Sequence, residues 1–245
     1  TPEELKIQMP IARDILDKMG IKHFELAPYE ADDIVGTIVR MTEEDKDFAS
    51  VIVSSDKDLL QLISDETEVK LLKQSGFIRY NHETFVQDYG IEPIRMIDLK
   101  ALMGDSSDNI PGVKGIGEKT ALKLLQEYKS LENLYDNIDK IIGKTKEKLE
   151  NDKEMAFISK KIATIYREVP LNIVLEDLKY EQKVTNELVE LFKDLEFFSF
   201  LKNMEVKKEE KNFEFKTISS IKDIKLDKRI AIEVMLDNEN YHIGH

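Results

Sequence analysis

GDSSDNIPGVKGIGEKTA, residues 104–121, is the stretch on which the reading of this 245-residue chain turns. Asp105 and Asp108 place two carboxylates three residues apart in a loop. Four residues beyond Asp108 begins a run with Gly112, Gly115 and Gly117, and Glu118, Lys119 and Thr120 then open a helix. Glycine tolerates positive φ, so such a run can turn a row of backbone N–H groups outward. The helix N-terminus adds free donors and partial positive charge. The pattern predicts a phosphate-binding hairpin between two helices, with acidic groups beside it. Phosphate grip next to carboxylates points to metal-dependent chemistry on a nucleic-acid backbone. A bare G-x-G also fits a helix–loop–helix corner with solvated aspartates. Here three glycines, Lys114, Lys119 and a helix start occur in the right order.

Upstream, two further acidic clusters sit at element ends. Glu30, Asp32 and Asp33 open a helix that continues through Ile34, Ile38 and Met41. Asp56 and Asp58 follow Val51-Ile52-Val53, a β-branched run bounded by Ser54 and Ser55 that reads as a buried parallel strand. Ligands of open α/β sheets gather outside the carboxyl ends of the strands. Three loops can therefore bring seven carboxylates, those of residues 30, 32, 33, 56, 58, 105 and 108, into one crevice. They cannot all stay ionised there without counter-charge. All-oxygen ligands suit Mg²⁺ or Mn²⁺, and a pair of such ions can clamp both oxygens of a phosphodiester displacement. Any one cluster taken singly is also explained by helix capping and the helix dipole.

The remaining pattern gives the organisation. Ile11, Ile15, Leu16 and Met19 repeat at helical spacing and Gly20 stops the helix. Val69 to Leu72 reads as a second strand, with a turn at Ser75-Gly76. Strand and helix alternate, which predicts an α/β layer with a mostly parallel sheet flanked by helices. From Thr84 the periodicity turns helical: 94–103, 118–128, 131–138, 144–162 and 186–195. Residues 205–216, EVKKEEKNFEFK, are charge-dense and read as a linker, with a fresh strand at 230–235.

Composition narrows the function classes. The chain is 41% hydrophobic and 35% charged, the profile of a globular protein, and no apolar run reaches membrane-spanning length. There are no cysteines, so thiolate metal sites and disulfides are excluded. The four histidines show no ligand spacing, and no P-loop pattern occurs. The formal net charge of −13 opposes nucleic-acid binding, yet Gly112 to Lys129 carries four lysines against two glutamates. Carboxylates that hold a metal ion are neutralised by it.

YEADD (29–33), SSDKDLLQL (54–62) and residues 104–121 together resemble the 5′-nuclease domain of bacterial DNA polymerase I, within the flap-endonuclease superfamily. The likeness runs from Thr1 to about Val206. It implies a mostly parallel sheet between helices and a helix–three-turn–helix of the helix-hairpin-helix type that grips duplex DNA. It assigns Glu30 and Asp32 to a first metal region, with Asp33 adjacent, and Asp56, Asp58 and Asp108 to a second, with Asp105 in support. Gly112, Val113, Gly115 and Gly117, with Lys114, Lys119 and Thr120, would form the DNA-binding hairpin, where K⁺ is also expected. Two or more Mg²⁺ or Mn²⁺ ions are implied in the intact domain.

The family's opening strands, with two further metal-binding aspartates and a basic arch, have no counterpart after Thr1, so this chain alone is expected to cleave poorly. The expected organisation is a nuclease domain at 1–204, a linker at 205–216 and the start of a 3′–5′-exonuclease-like domain at 217–245. The last lacks Asp-x-Glu on its strand, which reads Ile232-Glu233-Val234-Met235, and so looks vestigial. The implied function is 5′–3′ exonuclease and flap-endonuclease hydrolysis in replication and repair. The implied substrates are duplexes with 5′ flaps, nicks or RNA primers, and the implied setting is a monomer at the cytoplasmic nucleoid. A non-catalytic duplex-binding fragment and a stand-alone 5′–3′ exonuclease are the alternatives.

Overall fold

The computed structural model describes residues 2–45 and 47–204. The linker at 205–216 and the strand at 230–235 lie outside the described residues. The chain divides into two compact units, Thr1–Leu191 and Phe192–His245.

Helix α1 (Glu3–Met19) begins with Glu3 and Glu4 in its first turn and ends at Gly20. Gly20 adopts φ +77°, and the Ile21 N–H returns to the Leu16 carbonyl at 2.9 Å, which closes the helix end. Ile11, Ile15, Leu16 and Met19 are half-buried, as their spacing predicts. Helix α2 (Ala31–Glu44) buries Ile34, Gly36, Thr37, Val39 and Thr42, which lie around its circumference.

The sheet has three strands in the order β1 (Ser50–Ser54), β2 (Thr67–Lys73), β3 (Gly76–Tyr80). β1 and β2 are parallel, with Ile52 opposite Val69. The turn at Ser75-Gly76 makes β2 and β3 an antiparallel hairpin, with Leu72 opposite Phe77. The sheet of the described residues is thus mixed, with one parallel and one antiparallel pairing. Successive side chains on a strand face opposite ways. Ile52, Val69 and Leu71 face the helices and are buried, while Val51, Val53, Leu72 and Phe77 stay exposed on the other face. The reading of Val51-Ile52-Val53 as wholly buried is therefore corrected for its two valines. β branching reports strand propensity, and only packing on each face decides burial.

Helices follow: α3 (His82–Tyr89), α4 (Met96–Met103), α5 (Glu118–Tyr128), α6 (Leu131–Asp136), α7 (Lys144–Asn151), α8 (Lys153–Ala163) and α9 (Asn186–Asp194). Asn81 caps α3 by accepting from the Thr84 N–H at 2.9 Å. Helix α4 is the centre of this layer. Seven of its residues, Met96 to Leu102, are buried, and it packs against α8 and α5. Leu60, Val69, Leu71, Phe85, Leu99, Leu102, Leu125, Leu131 and Leu149 join the sheet's inner face and these helices in one core. The single helix expected over 144–162 is two, broken at Asp152. Asp152 leaves helical geometry, and its carboxylate accepts the Lys114 N–H at 2.8 Å. In the second unit, Phe192, Phe197 and Phe200 pack with ring centroids 5.4–5.9 Å apart beside α10 (Phe198–Asn203).

Candidate metal centre and nucleic-acid interface

Each acidic loop is shaped by short-range bonds. Past the end of β1, the Asp56 N–H donates to Ser54 Oγ at 3.0 Å and the Asp58 N–H donates to Asp56 Oδ1 at 2.8 Å. These Asx-type contacts turn the chain so that both carboxylates project beyond the strand. At the start of α2, Asp33 Oδ2 accepts the Glu30 N–H at 3.2 Å and Asp33 Oδ1 accepts the Tyr166 N–H at 2.9 Å. The third loop is pinned by paired bonds between Asp105 and Ile110, each 2.8 Å. Asp105 Oδ1 also accepts from the Ser107 N–H at 2.8 Å. Gly104 and Gly112 close the loop back to back. A Cβ on Gly112, at φ +63°, would lie 2.2 Å from the Gly104 nitrogen.

These loops converge. Glu30, Asp32, Asp33, Asp56, Asp58 and Asp108 line one groove of about 540 Å³, with Pro28, Ile110 and residues 162–166 as its remaining wall. Asp105 lies behind it, in a smaller recess of about 400 Å³ with Ser55, Lys57, Lys100 and Ser107. Asp58, Asp105 and Asp108 present carboxylate oxygens within 4.8 Å of one another.

Part of the wall belongs to a strap, residues 163–169, tied down by side chains. Gln61 donates to the Ala163 carbonyl and accepts the Ile165 N–H, both at 3.0 Å. Thr37 Oγ1 accepts the Val169 N–H at 3.0 Å, and Arg40 donates to the Arg167 carbonyl at 2.8 Å. Gly36 lets the strap approach α2, since a Cβ there would lie 2.7 Å from an Ile165 methyl. Tyr166 stacks on Tyr29, centroids 5.8 Å apart, at the groove's edge.

The electrostatics are those of a cation site. Burial, then repulsion from Asp56, Asp58, Glu30 and Asp33, pushes the Asp32 carboxyl up to about 6. Burial also raises Asp58, against the opposing pull of Lys100. The bonds from Lys100 and Ser107 hold Asp105 well below the usual carboxylate range. Lys100 reaches from α4 to contact Asp58, lies 2.5 Å from Asp105 and 3.6 Å from Asp108, and is almost fully buried. Burial would lower its ammonium, but the bonds to Asp105 and Asp58 outweigh that and raise it. The donor set is all oxygen, which fits a hard divalent cation.

The hairpin differs in detail from its expected form. Val113 is buried and its N–H donates to the Leu102 carbonyl at 2.9 Å, so it anchors the hairpin instead of facing outward. Gly112 is likewise turned in, its N–H donating to the buried Ser159 Oγ at 3.0 Å. The Lys114 N–H is taken by Asp152. Gly115 (φ +77°), Gly117, Lys114 and Lys119 are exposed, and Thr120 is half-buried. Among the described residues, no hydrogen-bond partner accepts from the N–H of Gly115 or Gly117. Lys148 donates to the Gly115 carbonyl at 2.8 Å.

Residues 1–90 match the family described as 5′–3′ exonuclease, N-terminal resolvase-like domain, and residues 91–187 match 5′–3′ exonuclease, C-terminal SAM fold. The chain belongs to the 5′–3′ exonuclease family. It is 42% identical to DNA polymerase I of Lactococcus lactis subsp. cremoris, 43% to that of Streptococcus pneumoniae and 40% to that of Bacillus subtilis, in each case over 99% of this chain. It spans 28–29% of the length of those curated relatives. Among solved structures it is similar to T5 5′-exonuclease with bound zinc, with a TM-score of 0.56 and 25% identity over 68% of this chain and 63% of that one. The catalytic core of Rad2 in complex with DNA substrate shares the fold, with a TM-score of 0.54 and 19% identity over 79% of this chain and 66% of that one.

Sequence reasoning about this exonuclease-family chain missed Lys100, Ser159, Asp152 and the strap. Lys100 left a signal, as a lysine in the otherwise apolar run Leu99 to Met103. Ser159 and the strap are too distant in sequence to leave one.

Proposed function

We propose that the chain is the 5′-nuclease region of a DNA polymerase I, hydrolysing phosphodiesters at 5′ ends and flaps with Mg²⁺ or Mn²⁺. The observation that carries this is the convergence of six carboxylates from three loops on one groove, beside a glycine hairpin that opens a helix. Asp58, Asp105 and Asp108 would hold one divalent ion, with Asp56 at its edge. Glu30 and Asp32 would serve a second region. Asp33 is a positioning residue, because its oxygens are engaged by the Glu30 and Tyr166 N–H groups. When bound, the divalent ions supply an activated water and charge stabilisation at the leaving oxygen.

The chain's own part is positioning. Gly115, Gly117, Lys114, Lys119 and the first turn of α5 would hold the duplex backbone through phosphates, without sequence preference. K⁺ would sit at the same hairpin. Val113, Gly112 and Ser159 keep the hairpin fixed to α4 and α8, so the gripped duplex stays in register with the carboxylates. The strap and its Tyr166–Tyr29 stack form part of the groove's wall. The substrates are duplexes with 5′ flaps, nicks or RNA primers, met as a monomer at the nucleoid.

The test is Mn²⁺ titration by calorimetry, with and without the substitutions Asp56→Asn and Asp58→Asn. The parent should bind and the double variant should not. Cleavage of a labelled 5′-flap duplex, assayed in the polypeptide that carries this chain, should be lost in the same variant. Equal binding by both proteins would sink the site assignment.

A further inference from the structure

Lys100 is a charged residue that the reaction does not call for. Its side chain is 7% exposed, and it rises from a helix whose neighbours Leu99, Ala101 and Leu102 are core. Its ammonium touches all three carboxylates able to share an ion: Asp58, Asp105 at 2.5 Å and Asp108 at 3.6 Å. The carboxylates are graded in depth. Asp58 and Asp105 are 13% and 21% exposed, whereas Asp108 is 49% exposed. The ammonium thus sits at the inner side of the cluster, and the outer side opens to the groove.

We propose that Lys100 is a built-in cation of this cluster, and that a divalent ion reaches Asp58 and Asp105 only by displacing its ammonium. This rests on the metal-site reading above. Three oxygens within 4.8 Å of one another leave room for one cation among them. Small divalent ions require oxygens at roughly 2.0–2.6 Å, and the ammonium now occupies that space. Two cations there would repel strongly in a part-buried site. Removing a buried charge's partner is costly, so an empty cluster without Lys100 would hold uncompensated carboxylates. With Lys100 present, the loops keep their shape before metal arrives. The consequence is a weakened site. Metal affinity is reduced by the work of expelling the lysine, and full occupancy waits for conditions that favour it, such as substrate phosphate adding ligands on the groove side.

The experiment compares the full 245-residue chain with Lys100→Met and Lys100→Arg, measuring Mn²⁺ binding by calorimetry and water-proton relaxation. Lys100→Met should bind Mn²⁺ at least about tenfold tighter, because the competing charge is gone. Lys100→Arg, which keeps the charge, should bind no tighter than the parent. Equal or weaker binding by Lys100→Met overturns the proposal. A chain carrying both Asp58→Asn and Asp108→Asn separates the two readings. If it binds Mn²⁺ like the parent, the metal-site assignment fails regardless of Lys100. Should Lys100→Met not fold, the parent chain itself decides. Acylation of lysines, mapped by mass spectrometry, should spare Lys100 without metal and label it at least fivefold faster in Mg²⁺, relative to exposed Lys119. Unchanged protection in saturating Mg²⁺ overturns the proposal.

Discussion

Asp32 and Asp105 are chemically the same residue held in opposite ways. Asp32 lies among Asp56, Asp58, Glu30 and Asp33, and its carboxyl is raised from 3.8 to about 6. The folded chain therefore binds that proton more tightly than the unfolded chain does. Above pH 6 the Asp32 charge costs stability, and the cost disappears as pH falls from 6 towards 4. Asp105, bonded to Lys100 and Ser107, is lowered, so its stabilisation is present above the ordinary carboxylate range and is lost in strong acid. In chelator-treated protein, Asp32→Asn should raise stability at pH 7 by about 1 kcal/mol. The full shift would give about 3 kcal/mol, and solvent screening of a half-exposed group reduces it. At pH 4 the variant should gain little. Urea denaturation at the two pH values measures this, and an equal gain at both would refute the assignment of the shift to Asp32.

At the scale of elements, the hairpin and the sheet each make a separable prediction. Gly115 holds φ +77°, and a Cβ there would press on Lys148 Nζ at 2.9 Å. Gly115→Val should therefore lose most duplex affinity while the fold, anchored by Val113 and Ser159, survives. Electrophoretic mobility shift on a nicked duplex, with circular dichroism as the folding control, gives the comparison. Wild-type affinity in the variant would remove the hairpin from the interface. Lys119→Gln should weaken binding alike on all sequences and flatten the salt dependence by about one unit of slope. In the sheet, the alternation on β1 is read by mutation. Ile52→Ala should cost about 2–4 kcal/mol, since its side chain is in the core. Val53→Thr should cost less than about 0.5 kcal/mol, because that valine is 60% exposed. Similar costs for the two would mean that the outer face of β1 is covered in solution.

For the whole molecule, a net charge of −13 and the proposed nucleic-acid substrate are reconciled by segregation. The carboxylates gather in one groove where divalent ions would neutralise them, and the lysines of the hairpin and α5 lie on a different element. Metal binding should then stabilise the entire Thr1–Leu191 unit, since its ligands come from loops tied to both the sheet and α4. At a hundredfold excess over its dissociation constant, Mn²⁺ should add about 2.7 kcal/mol. Thermal unfolding with graded Mn²⁺ should show a rising midpoint in the parent and none with Asp58→Asn and Asp108→Asn together. An equal rise in both would place the stabilising ion elsewhere.

By itself the sequence determined what short-range physics decides. Glycine at positive φ, the helix stop at Gly20, the turn at Ser75-Gly76 and the 3.6-residue periodicity of α2 and α5 all act within a few residues, so their order along the chain predicts them. The identity of the acidic loops was legible for the same reason. Only the tertiary structure decided which groups meet. The break at Asp152 exists because its carboxylate serves an N–H 38 residues away. The Gly112 N–H faces Ser159 from 47 residues away, and Tyr166 is held by Asp33 across 133. Val113 reads as hairpin surface until Leu102 and the core claim it. Lys100 reads as a stray charge in an apolar helix until two loops close around its ammonium. Local patterning sets conformation, but burial and pairing depend on what the rest of the chain brings alongside, and that exists only once the core has formed.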